Sequence, residues 1–227
     1  MTDTPPDAPP LHGYRGTNTP PPPLRRPRAL TLAVSREARA QGSTVARAVG
    51  RLLGWPVFSQ EMLDFLARDD AARADFLADL PAGAVEWADL ELAKVVHARG
   101  LDPAGDTAAA ARLVFTLAAR GEAVLVGRGA GFLLPPTSTV HVRVVAPRPQ
   151  RVAYLGQWLR LTGPEAEAEA DHRDRRRAAF LAALTDHPIN DPTAYDLFVN
   201  AGRVGPDLTA ELIAQVVRGK QLPPDVS

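Results

Sequence analysis

Cysteine is absent from all 227 residues. That excludes disulfides and thiolate metal sites. Net charge is absent too: 26 basic residues cancel 26 acidic ones. A general nucleic-acid binder usually carries a strongly basic domain, so that class is disfavoured. No apolar run approaches the ~20 residues that span a bilayer. The first residues lack the apolar stretch of a secretory signal. The expectation is a cytoplasmic protein with no membrane and no nucleic-acid partner. His97, His141, His172 and His187 show no metal-ligand spacing and are assigned to surface or core. Trp55, Trp87 and Trp158 are read as packing residues rather than a stacking platform.

What is present falls into two compositions. Residues 1–28 hold nine of the 22 prolines and few large apolar side chains. Such a segment cannot bury enough surface to offset its ordering entropy, so it is read as a disordered arm. Its Pro20-Pro21-Pro22-Pro23-Leu24-Arg25-Arg26-Pro27-Arg28 run also has the form of a weak ligand for an aromatic groove on a partner. Residues 29–219 alternate between strand and helix patterns. Strands are predicted at 29–34, 55–58, 123–126, 140–146 and 196–199. Helices are predicted at 43–53, 61–80, 85–99, 107–120, 150–161, 164–184 and 206–217. The remaining 220–227 is read as a C-terminal tail. Strands separated by helices imply an α/β fold, a three-layer sandwich on a mostly parallel five-stranded sheet. Ligands then sit beyond the carboxyl ends of the strands.

Three segments at those ends can carry chemistry. The first strand feeds Ser35-Arg36-Glu37-Ala38-Arg39-Ala40-Gln41-Gly42-Ser43-Thr44, where a helix begins. Backbone N–H groups and the helix dipole favour an anion at such a place. Gly42, Ser43 and Thr44 would cradle nucleotide phosphates, and a hydroxyl of Ser43 or Thr44 could reach Mg²⁺. The full phosphate-loop motif, G-x-x-x-x-G-K-[ST], has a lysine that is missing here, because Ser43 follows Gly42 directly. Arg36 and Arg39 are the nearest substitutes for its charge. The same loop also describes an ordinary capped helix after a strand. Next, Gly127-Arg128-Gly129 suits a bidentate grip on a phosphate, or a plain surface turn. Finally, Asp174, Arg175 and Arg177 lie on one helix, and Arg148 and Arg151 begin the helix before it. An arginine-bearing helix pair can close over transferring phosphates. A solvated basic face has the same composition.

Taken in order, these segments resemble the cytidylate kinase-like family, a branch of the P-loop nucleoside monophosphate kinases. The motifs are Ser35-Arg36-Glu37 before the loop, Val126-Gly127-Arg128-Gly129, Asp174-Arg175-Arg176-Arg177, and Asp191-Pro192-Thr193-Ala194-Tyr195-Asp196-Leu197 running to Val199-Asn200. The resemblance implies an ATP- and Mg²⁺-dependent phosphotransferase acting on a nucleoside monophosphate of the CMP or dCMP kind. It implies a monophosphate-binding region over 60–120 and a lid over 148–188. Arg128, Asp174 and Arg177, with Gly127 and Gly129, would hold the acceptor; Arg36, Arg39, Arg148, Arg151 and Arg175 would serve as the charge clamp. Relatives usually keep glycines where Arg39, Ala40 and Gln41 stand. True cytidylate kinases have lysine where Gly42 falls and aspartates where Val126 and Gly129 fall, and relatives often show aspartate at Ser59. A nucleotide-binding module that has lost catalysis is therefore the alternative.

Overall fold

The structure is a computed structural model that describes residues 27, 29–69, 71–74, 80, 81 and 83–220. The proline-rich arm, save Pro27, and residues 221–227 lie outside the described residues. Five strands form one sheet: β1 (Thr31–Arg36), β2 (Val57–Phe58), β3 (Ala123–Val126), β4 (Thr139–Val145) and β5 (Leu197–Asn200). Their order is β2-β3-β1-β4-β5. Every pairing is parallel, with Ala33 opposite Leu125 on one side and His141 on the other. All carboxyl ends thus open on one edge, with the chain reversing direction around β1.

The strands are continuous apolar runs because both faces are covered. Leu32 and Val34 of β1, Val140, Val142 and Val144 of β4, and Val124 and Val126 of β3 point to one face. There they meet Val45 and Val49 of α1 (Gly42–Leu53) and Ile213 of α9 (Pro206–Gly219). Ala33 and Leu125 point to the other face, against α2 (Gln60–Arg68), α3 (Ala84–Arg99) and α4 (Asp106–Arg120) through Leu63, Leu66, Trp87, Val114 and Phe115. Burying each such side chain contributes roughly 1.5–3 kcal/mol. A short α5 (Ala130–Leu133) follows β3, and a short α8 (Ala201–Val204) follows β5. Neither is long enough to show a periodic pattern in the sequence.

An antiparallel-looking pair of longer helices, α6 (Arg148–Leu159) and α7 (Gly163–Leu184), leaves the sheet after β4. The pair has a small core of its own, in which buried Leu155 meets Ala166 and Ala170. Thr162 and Glu165 form a reciprocal cap at the start of α7, and Pro164 occupies its first turn.

The strand expected at 29–34 runs instead from Thr31 to Arg36, which carries Ser35 and Arg36 into the sheet. The helix expected over 61–80 stops at Arg68, where Asp69 is extended and its carboxylate accepts from the Ala72 N–H. The alanine-rich composition hid that break. Lys220, expected to open a tail, is fastened: its amino group donates to the Thr139 carbonyl at 2.6 Å and pairs with Asp196 at 2.9 Å.

Gly50 sits mid-helix in α1, where glycine ordinarily weakens a helix by about 1 kcal/mol relative to alanine. A Cβ there would lie 2.9 Å from the Trp55 carbonyl oxygen and overlap Val57 Cγ2. Overpacking of this kind costs about 1–3 kcal/mol, more than the propensity gain. Gly50→Ala should therefore lower unfolding free energy by about 1 kcal/mol in urea titration; a rise in stability would show that β2 yields freely.

Candidate functional site

The parallel sheet brings three of the predicted segments to one edge. Arg36 ends β1, Gly127-Arg128-Gly129 follows β3, and Arg148 opens the helix after β4. The rest of the third, Asp174 to Arg177 on α7, folds back over them.

Arg36 is buried, only 8% exposed. Its side chain packs under Gly42, where an added Cβ would come within 2.6 Å of Arg36 Cβ. Farther out, the guanidinium passes Gly127, where a Cβ would meet Arg36 Nη1 at 2.5 Å. It then donates to Gln60 Oε1 at 3.0 Å. The two glycines form a slot for this arginine. Burial and then the neighbouring Arg177 push its pKa down to about 10.

The loop beyond Arg36 reverses through left-handed backbone at Arg39 (φ 61°) and Gln41 (φ 60°). Such a conformation costs a residue with a Cβ roughly 1–2 kcal/mol, and glycine avoids the cost. These are positions where the resemblance leads one to expect glycine. Arg39 does not aim into the loop mouth. Its guanidinium stacks 3.8 Å from the Trp158 ring centroid and 5.8 Å from that of Tyr154, both on α6. Trp158 is thus a stacking surface rather than the packing residue expected of it, and it is 60% exposed. Ser43 and Thr44 are exposed at the start of α1. No side chain caps that helix, and among the described residues the N–H groups of Gly42 and Ser43 find no acceptor. Unpaired donors at a helix start suit an anion.

Asp174 connects this loop to α7. One carboxylate oxygen accepts the Ala38 N–H at 2.8 Å and the other accepts Arg151 Nη1 at 2.7 Å. Arg177 pairs with it at 3.3 Å. Arg151 is buried and also donates to the carbonyls of Ala146 and Ala38, while Glu37 pairs with it at 3.3 Å. Arg151 is thereby a bracket at the base of the α6–α7 pair. Arg148 pairs with Asp171 on the exposed side, and Arg175 is exposed. Arg128 (φ 53°) pairs with Asp64 of α2 and lies over the Phe180 ring at 4.7 Å.

A cavity of about 320 Å³ opens between these groups, lined by Arg36, Glu37, Arg143, Asp174, Arg175 and Arg177 among others. Arg143 was missed in the sequence, absorbed into the β4 pattern. The available signal was a pair of polar residues two apart, His141 and Arg143, in an otherwise apolar strand. Asp64, Gln60 and Asn190 were missed as well; each is an ordinary surface residue type until its arginine partner is known. Among the described residues, no cluster of three or more acidic or histidine side chains could hold a metal ion. Any Mg²⁺ would have to share phosphate oxygens with the Ser43 or Thr44 hydroxyl, which the exposed helix start allows.

A parallel sheet in this strand order, a tight loop into the first helix, and arginines converging at the strand ends define a phosphate-loop α/β protein. The chain belongs to the cytidylate kinase-like family, whose model matches residues 31–203. It is 28% identical over 143 residues to a cytidylate kinase of Halobacterium salinarum, covering 63% of this chain and 74% of that one. An uncharacterised protein from Eubacterium ventriosum shares the fold, with a TM-score of 0.59 at 16% identity, covering 84% of this chain and 99% of that one. A shikimate kinase from Bacteroides thetaiotaomicron superposes more loosely, with a TM-score of 0.46 at 15% identity over 83% of this chain and 96% of its own.

Beside the loop, Ser35 is held by a buried histidine. His141 Nε2 lies 3.0 Å from Ser35 Oγ and Nδ1 lies 2.9 Å from the Ala194 carbonyl. The second contact requires a proton on Nδ1, so Nε2 accepts from the serine hydroxyl. Burial drives the imidazole pKa down to about 4. In the unfolded chain it returns to about 6.5. Unfolded chains therefore bind the extra proton between those values, so stability is full above pH 6.5 and falls as pH drops toward 4. At about 1.4 kcal/mol per unit, the span is worth roughly 3 kcal/mol. The His141 ring resonances should not titrate between pH 7 and 5 in NMR spectra, and His141→Gln should flatten the stability slope over that range.

Proposed function

We propose that this protein transfers the terminal phosphoryl group of ATP to a nucleoside monophosphate of the CMP or dCMP kind. The observation that carries the reading is the cavity of about 320 Å³ lined by Arg36 and Glu37 at the end of β1 and by Arg143, Arg175 and Arg177 of β4 and α7. Phosphoryl transfer asks mainly for positioning and for positive charge near the migrating group. The unpaired N–H groups of Gly42 and Ser43 would receive the phosphates of ATP. The Ser43 or Thr44 hydroxyl would be the group to hold Mg²⁺, which would supply further neutralisation of phosphate charge. Arg128 and Arg177, set beside Gly127, Gly129 and Asp174, would orient the acceptor phosphate. Arg148 and Arg175 of α6 and α7, with Arg36 beneath the loop, would form the charge clamp, and Arg151, committed to Asp174 and Glu37, would hold its base. Arg39 joins that clamp only by leaving the Trp158 ring. The nearby region 60–120 supplies Gln60 and Asp64, which hold Arg36 and Arg128 in place.

A second reading has one observation in its favour. Asp174 occupies the Ala38 N–H, and no lysine stands ready to contact a transferring phosphate. A module that binds nucleotide without turnover fits that arrangement.

Purified protein with ATP, Mg²⁺ and a panel of monophosphates separates the two. Diphosphate product from CMP or dCMP is expected. Arg128→Ala should lower kcat/KM about 10–100-fold, the worth of about 1.5–3 kcal/mol for a charge-assisted bond. ATP-dependent thermal stabilisation with no product from any acceptor would leave the binding module standing instead.

A further inference from the structure

Arg143 stands apart from the other arginines of the site. It projects from β4, opposite Ser35 on one side and Phe198 on the other, and is only 4% exposed. Its Nε and one terminal nitrogen have no hydrogen-bond partner. The remaining nitrogen reaches Asn190 Oδ1 at a long 3.5 Å. Yet it lines the cavity. The three carboxylates that share that lining are all committed elsewhere. Glu37 serves Arg151 and the Ala146 N–H, Asp171 serves Arg148, and Asp174 serves Ala38, Arg151 and Arg177. Among the described residues no carboxylate lies within ion-pair distance of Arg143 or of Arg36. Two buried guanidiniums thus face one cavity with neutral amides, Asn190 and Gln60, as their side-chain hydrogen-bond partners, while Glu61 acts on Arg36 only from beyond ion-pair distance.

An unpaired buried cation is costly and is normally neutralised by a partner. The partner that fits is a compact oxyanion. A guanidinium fork with free N–H groups matches phosphate oxygens in a bidentate arrangement. The position lies on the β4 side of β1, whereas Arg128 lies beyond β3 and already has Asp64.

We propose that Arg143, together with Arg36, forms the β4-side wall of the acceptor-phosphate site, adding two guanidiniums to the grip of Arg128 and Arg177. The group this subsite takes is the phosphate of the acceptor, an assignment of source that rests on the phosphotransfer reading. Free inorganic phosphate offers the same chemistry and serves as the probe. Arg143 acts here by holding charge and orientation at that phosphate, with Asn190 fixing one edge of its fork.

The test uses the full chain, in wild-type, Arg143→Gln and Arg143→Lys forms, titrated with inorganic phosphate, CMP and cytidine by calorimetry and thermal shift. Phosphate and CMP should bind wild type and cytidine should not. Arg143→Gln should weaken phosphate and CMP binding at least tenfold, and Arg143→Lys should fall between. The empty Arg143→Gln protein should melt no lower than wild type, because it has lost an unbalanced cation rather than a structural contact. Unchanged phosphate affinity in Arg143→Gln overturns the subsite. Should that variant not fold, Arg143→Lys decides: a severalfold loss of phosphate affinity supports the subsite, and wild-type affinity overturns it. The two readings fail separately. Phosphate binding that depends on Arg143 without any turnover retains the subsite and removes phosphotransfer; turnover by Arg143→Gln at wild-type KM does the reverse.

Discussion

The contact on which the site depends is the Asp174 carboxylate at the Ala38 N–H. It binds a helix far along the chain to the loop that follows the first strand. Through the same carboxylate, Arg151 and Arg177 are drawn to the loop from two helices. A carboxylate at a turn rich in backbone donors sits where a phosphate oxygen would also be comfortable. Asp174 therefore acts as an internal anion. It keeps α7 folded over the loop, and on the proposed function an incoming phosphate would compete with it for the same donors.

Arg36 imposes the second constraint. Its side chain needs room on both sides of its path, and Gly42 and Gly127 provide it. Gly42 is thus accounted for by an arginine of β1, where the sequence suggested close approach of a phosphate to the backbone. The loop that follows bends through left-handed conformations at Arg39 and Gln41, paying in backbone strain for side chains that glycine would not carry. Arg39 uses its side chain: the stack on Trp158 fastens the loop to α6. An exposed cation–π contact contributes about 0.5–1 kcal/mol, which offsets part of the strain at Arg39. The loop gains an attachment to α6, and the strain at Gln41 is not offset by it.

The sheet was legible because a parallel strand buried on both faces must be continuously apolar, and Ala123 to Val126 has no other plausible state. The convergence of Arg36, Arg128 and Arg148 was legible for a topological reason, since parallel strands place all their carboxyl ends together. Which way each arginine points was not legible. Arg39 and Arg36 are three residues apart in one loop, yet one stacks outward on Trp158 and the other runs inward to Gln60. That difference depends on where α2 and α6 pack. Arg143 was hidden by its surroundings, because a strand of valines reads as core whichever residue interrupts it.

Charge neutrality across the whole chain conceals a local imbalance at the strand ends. Four of the site's arginines are paired: Arg128 with Asp64, Arg148 with Asp171, and Arg151 and Arg177 with Asp174. Those pairs shape the walls and consume the local carboxylates. Arg36 and Arg143 are left facing the cavity without one. A protein selected only for stability would bury hydrocarbon at these positions, since an apolar replacement of a buried charge is often neutral or stabilising. Low dielectric around the pair strengthens their pull on an anion and strengthens their mutual repulsion in its absence. The depressed pKa of Arg36 follows first from burial and then from Arg177, with Glu61 opposing the shift and Arg128 and Arg143 adding smaller contributions to it. In the proposed subsite a bound phosphate would offset that repulsion, so the residues that weaken the fold on its own would also set the charge of the ligand.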